Sequence, residues 1–155
     1  MATTTFQGVV RSYSGKPKGT VVPGVMIQSV RFSCNPTATA ATNVRIGASA
    51  TTGNTLTLPA GCIPISVVTI GAASTASGTI DIGGTPAGGA NDPDGLFNEV
   101  AAGSKGSIKG ANGALVLAAG LAADTIVTAS IGAVTATGGT FTGVLTYAMP
   151  DSGDE

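Results

Sequence analysis

Apolar and small polar residues alternate along most of this chain with a period of two, and the runs stop at glycine, proline or asparagine. The closing stretch TFTGVLTYAMP (140–150) shows the pattern most cleanly. On an extended backbone Phe141, Leu145, Tyr147 and Met149 fall on one side, and Thr140, Thr142 and Thr146 on the other. The same period predicts strands in TFQGVVRSYSG, TVVPGVMIQSVRF, NVRIG, NTLTL, GTIDIGG, KGSIKG, GALVLAA and DTIVTASIG. IPISVVTIG (63–71) is apolar on both faces, which predicts a central strand covered on both sides. In TVVPGVMIQSVRF, Met26, Val30 and Phe32 share a side, and Pro23 and Gly24 suggest a bulge or an edge near its start. About nine or ten short strands with closely spaced turn signals define an all-β chain, a sandwich or a barrel.

Helix is scarce. One candidate is PDGLFNEVAAG (93–103), where Leu96, Phe97 and Val100 recur at helical spacing and Asp94 is placed to cap a short helix over 94–101. The segment before it, GTPAGGANDPDG (84–95), reads as a long Gly/Pro/Asn loop, functional or mobile at that length. LVLAAGLAAD has helix formers, but Gly120 in its middle argues for strand and turn. No repeat and no interdomain linker interrupts the chain. The expected division is an N-terminal strand or arm over 1–19 containing the turn GKPKG, a β-sandwich domain over 20–150, and an acidic tail over 151–155.

Composition sharpens this picture. At 155 residues the chain is long enough for a real core. Only 10% of residues are charged, against roughly 25% in an average globular protein, so the surface must be built from Thr, Ser, Gly, Ala and Asn. The net charge is −1, with a small basic excess at Arg11, Lys16 and Lys18 that reads as a solvated turn. Nucleic-acid binding needs clustered Lys and Arg, and none is expected here. The N-terminus lacks the pattern of a secretory signal, and GALVLAAGLAA (113–123) is too short to span a bilayer, so no membrane partner is expected.

The chemistry is as sparse as the charge. The chain has no histidine, which removes Ser/His/Asp and Cys/His machines. Paired carboxylates in an aromatic-lined cleft would suit a glycosidase, but the acids lie mainly in loops and the tail, and there is no Trp. The chain is therefore expected not to be an enzyme, and no cofactor is implied. NDPDG offers Asn91, Asp92 and Asp94 as oxygen ligands for a weak cation site, although turn chemistry accounts for the same residues. The glycine-rich stretches match no phosphate loop, and the aromatics are too dispersed to stack bases. Cys34 and Cys62 are the only thiols, and a disulfide between them is not expected in a chain without an export signal. What remains is a broad surface of small, uncharged side chains, which loses little entropy and desolvates few charges on docking.

The opening FQGVVRSYSG resembles the F-x-G-P-V-R-S-x-N-G opening of small structural proteins of tailed bacteriophages, with Val9 where the proline would stand. LPAGCIPISVVTIGAASTASGTIDIGGTPAGGANDPDGLF is similar to their LPAG and IDIGT segment, and DTIVTASIGAVTATGGTFTGVLTYAMP to their closing pair of strands. The resemblance implies a virion protein: a head decoration or cement protein with a jelly-roll-like β-sandwich, assembled in the host cytoplasm onto the capsid surface. The implied partners are the major capsid protein and further copies of itself, as a dimer or trimer. An extended terminus can add a strand to a neighbour's sheet edge, which makes Phe6, Val9, Val10, Arg11 and Tyr13 the expected contact residues. The alternative expectation is a tail, fibre or head-fibre module that meets the host surface through the 84–95 loop.

Overall fold

The computed structural model describes residues 25–36, 41–71, 78–117, 119–132 and 139–150. Among them the chain forms ten strands and no helix: β1 (Val25–Cys34), β2 (Thr42–Asn43), β3 (Arg45–Ile46), β4 (Thr57–Leu58), β5 (Ile63–Gly71), β6 (Thr79–Pro86), β7 (Asp92–Ala101), β8 (Ile108–Gly110), β9 (Thr125–Ile131) and β10 (Phe141–Pro150). All pairings are antiparallel. The first sheet has the order β3-β1-β10-β5-β8; the second has β2-β9-β6-β7, with β4 also paired to β9.

With the two-residue β3 and β4 set aside, the eight other strands pair from the ends of the chain inward: β1 with β10, β2 with β9, β5 with β8, and β6 with β7 at the tip. The chain is thus one long antiparallel ribbon, doubled at the β6–β7 hairpin and rolled so that alternate pairs enter opposite sheets. This is the jelly roll. It places the N- and C-terminal strands side by side over ten residues, from Val25 opposite Pro150 to Cys34 opposite Phe141.

Alternation builds the core between the sheets. Phe32 and Cys34 of β1, Phe141 and Leu145 of β10, Val67 of β5, Ile80 and Ile82 of β6, and Val127 and Ala129 of β9 all lie buried in one cluster. Phe32 and Phe141 meet at 5.8 Å between ring centroids. The threonines that alternate with these residues turn away from the cluster, as in Thr142 and Thr146 of β10. Thr69 and Thr125 are polar exceptions on the inner side: the Thr69 hydroxyl donates to Ala101 O at 2.8 Å, tying one sheet to the other, and the Thr125 hydroxyl donates to Ala123 O at 2.8 Å. Among the described residues every buried side-chain N or O has a partner.

Four local expectations change. The 94–101 helix is instead the body of β7. Its register against β6 slips, with Ile80 opposite Val100 but Ile82 opposite Phe97, so Asn98 and Glu99 together face Asp81 in a bulge. The 84–95 loop shrinks to a tight reversal between Pro86 and Asp92, because Gly84 lies within β6 and Gly95 within β7, leaving only Gly88 and Gly89 in the turn. A Cβ at Gly83 would land on the backbone of Asp92 and Pro93, so close approach explains that glycine better than loop freedom does. GALVLAA is not a strand: it crosses the edge of β7, with Asn112 and Gly113 N–H donating to Leu96 O and Leu115 N–H to Gly95 O. Finally, β5 is central but is covered on one face only by the described residues. Two bulges in it leave Ile65 and Ile70 39% exposed.

Candidate functional site

The registers of the first sheet define its outer face residue by residue. Paired residues share a face, so the face opposite Phe32 and Leu145 consists of cross-strand rows. Ile27, Ala148 and Ile63 form one row. Ser29, Thr146, Ser66 and Gly110 form the next, followed by Arg31, Val144, Val68 and Ile108, and then Ser33, Thr142 and Gly71. Apolar rows therefore alternate with hydroxyl rows. Ile27 and Ile108, at opposite ends of the face, are 66% and 69% exposed.

The hydroxyls are largely bonded to one another. Ser29 Oγ lies 3.0 Å from Thr146 Oγ1, and Ser33 Oγ lies 3.1 Å from Thr142 Oγ1 while donating to Gly47 O at 2.8 Å. A partner that covers them displaces few hydrogen bonds to water, so the usual cost of burying polar groups is small. The face carries Arg31 and, beside Ser33, Arg45, whose guanidinium donates to Thr55 Oγ1 at 2.8 Å. The described acids Asp81, Asp92, Asp94, Glu99 and Asp124 belong to the second sheet and its connections. Charge is thus segregated: acids on one sheet, and a nearly neutral, slightly basic face on the other.

The sequence-derived candidates distribute as follows. Phe6, Val9, Val10, Arg11 and Tyr13 lie outside the described residues, as does the 151–155 tail. Asn91, Asp92 and Asp94 come together where β6 reverses into β7. The Asn91 Oδ1 already accepts hydroxyls from Thr85 at 3.0 Å and Thr128 at 2.8 Å, so this oxygen staples the hairpin to β9. Desolvation, and then the hydrogen-bonding and charge of Asp94 beside it, hold the Asp92 carboxyl above the usual carboxylate range. Two adjacent acids and a committed amide fall short of the six to eight oxygens that calcium takes. Among the described residues no group of three or more His, Cys, Asp and Glu side chains is placed to hold a metal. Cys34 and Cys62 are free, buried thiols. Burial pushes Cys34 up to about 12 and Cys62 up to about 11, which keeps both protonated and inert.

The outer face itself went unrecognised in the sequence as a site. Its signal was present in the threonines of β10, whose side opposite Phe141 and Leu145 had no assigned role.

No protein-family model matches the chain, and no curated protein does. Among solved structures, a cyanophage Pam1 capsid asymmetric unit is similar over 93% of this chain and 98% of that chain, at 17% identity and a TM-score of 0.45. No helix among the described residues is long and apolar enough to cross a membrane.

Proposed function

We propose that this chain is a structural protein of a bacteriophage virion, specifically a decoration or cement protein that binds the outer surface of the capsid and stabilises the shell. Its partners in this reading are the major capsid protein and other copies of itself, and it works by binding, not as an enzyme.

The observation that carries the reading is the outer face of the first sheet. β1, β10 and β5, with nine or ten residues rising about 3.3 Å each and spaced about 4.8 Å apart, make with the short β3 and β8 a surface of roughly 30 Å by 20 Å at its widest. That is somewhat below one side of a standard protein interface, about 800 Å². On this face Ser29 pairs with Thr146 and the buried Ser33 with Thr142, and most of its side chains are short, so little conformational entropy is lost when it is covered. The phage context is supported by the resemblance of the opening, middle and closing segments to small virion proteins. A protein that binds only the assembled lattice stabilises that lattice by mass action. The 84–95 segment, reduced to a tight turn stapled by Asn91, offers nothing that favours host recognition over capsid binding.

The test is composition of the particle. Purified virions should contain this chain at a fixed ratio to the major shell protein, released by conditions that leave the shell intact. Absence from the particles, or recovery only with tails, would end the proposal.

A further inference from the structure

The edges of the two sheets are not equally protected. β8 is three residues long, β2 and β4 are two each, and β7 is broken by its bulge and crossed by the N–H groups of Asn112, Gly113 and Leu115. β1 is different. One side is paired with β10 along all ten residues, but on the other β3 reaches only Phe32 and Ser33. Gly47 N–H donates to Arg31 O at 2.9 Å, which shows that the odd-numbered residues of β1 aim their backbone groups at this second side. Among the described residues, the N–H and C=O of Val25, Ile27 and Ser29 meet no backbone partner there. Folded proteins cover such an edge or guard it with lysine, proline or a bulge, and Val25–Val30 contains none of these.

We propose that this edge receives residues Phe6–Tyr13 of a second copy of the chain as an added strand, so that copies are joined by exchange of their N-terminal segments. Twenty-four residues precede Val25, and Phe6–Tyr13 has the length and extended pattern to match the open stretch. Return of the same chain onto its own edge fits poorly. A reversal centred on Pro17 within GKPKG sets Val9 opposite Val25 and Gln7 opposite Ile27, but leaves Arg11 and Tyr13 opposite Pro23 and Val21. That register places Pro23, which has no N–H, at an odd position that would have to donate. A segment from another copy escapes this restriction and can lie along Val25–Val30. The proposal needs no shell, so it is tested without one and stands or falls separately from capsid binding.

The experiment measures oligomeric state by light scattering, together with hydrogen exchange of the Ile27 and Ser29 amides over a range of concentrations. Four proteins are compared: the full chain, a variant lacking residues 1–13, Ile27→Pro and Ile27→Thr. Ile27→Pro removes an edge-facing N–H without touching a bond to β10, and Ile27→Thr keeps the N–H. The full chain and Ile27→Thr should be oligomeric, with both amides protected at least tenfold more when associated than when diluted to monomer. The truncated chain and Ile27→Pro should be monomeric, and adding a peptide of residues 1–13 to the truncated chain should restore protection. A monomeric full chain whose two amides are protected at every concentration would overturn the proposal in favour of folding back in cis. Oligomers that survive truncation would overturn it in favour of an interface elsewhere. If Ile27→Pro fails to fold, the truncated chain and the peptide decide.

Discussion

The Asp81 carboxylate accepts the backbone N–H of Glu99 at 2.8 Å, and this bond holds a bulge whose second residue sits at a φ of 58°. The left-handed region costs a side-chain-bearing residue roughly 1–2 kcal/mol. Asn112 Oδ1 takes the neighbouring Asn98 N–H at 3.0 Å, so both amides that the bulge removes from the ladder are caught by side chains. Asp81→Ala should therefore lower stability by about 1–3 kcal/mol. Glu99→Gly should raise it by about 0.5–1 kcal/mol, since glycine adopts this φ freely. Urea titration measures both, and a destabilised Glu99→Gly would show that the Glu99 side chain, not the backbone, holds the bulge.

The same bulge explains why β7 was legible only as a helix. In a regular strand Phe97 and Val100 face opposite ways; the extra residue at Asn98–Glu99 turns both inward, producing the three-residue spacing of a helix. Regular strands had no such ambiguity. β10 could be read directly because Phe141 and Leu145 keep strict parity through to the core. The outer face of the first sheet was partly legible in the threonines opposite them. Its apolar rows were not, because Val68, Val144 and Ile108 become neighbours only through long-range pairing. Glycines misled in the other direction, since Gly84 and Gly95 look like loop residues but lie within strands, where a Cβ would strike the side chains of Thr125 and Leu115.

Phe32 and Phe141 close the core beneath the terminal strands, and Phe32 packs over Gly143, where a Cβ would come 2.8 Å from its ring. Phe32→Ala or Phe141→Ala should cost about 3–5 kcal/mol. Gly143→Ala should cost about 1–3 kcal/mol by overpacking. Thermal unfolding of the three variants should rank both phenylalanine losses above the glycine change.

Cys34 and Cys62 should resist thiol reagents in the folded protein and react fully once it is unfolded. Their folded values, about 12 and 11, lie above the 9.0 of an open thiol, so the unfolded chain loses these protons first. Stability should be unaffected by either thiol below pH 9 and should fall as pH rises beyond it, by about 1 kcal/mol per pH unit for each thiol until its folded value is passed. Replacing both with alanine or serine should flatten that decline, whatever it does to the absolute stability.

Asp92 has the same sign in a lower range. Its folded carboxyl is raised, so the native state holds this proton more tightly than the unfolded chain does. Stability should decrease slightly as pH rises from the ordinary aspartate range through the raised value, and stay level below it. Asp94→Asn removes the neighbouring charge and should reduce that slope, which chemical denaturation at a series of pH values would reveal.

The central claim is that the outer face of the first sheet meets the capsid, and Val144 in the middle of that face tests it most directly. Purified chain would be titrated onto shells from which it has been stripped, alongside Val144→Glu, which places a charge among Arg31, Val68 and Ile108 without entering the core. The wild-type chain should saturate at a fixed ratio to the shell protein and raise the shell's melting temperature. Val144→Glu, folded with an unchanged circular dichroism spectrum, should bind at least tenfold more weakly and leave the melting temperature unmoved. Wild-type protein that fails to bind, or a Val144→Glu variant that binds equally well, would contradict the claim.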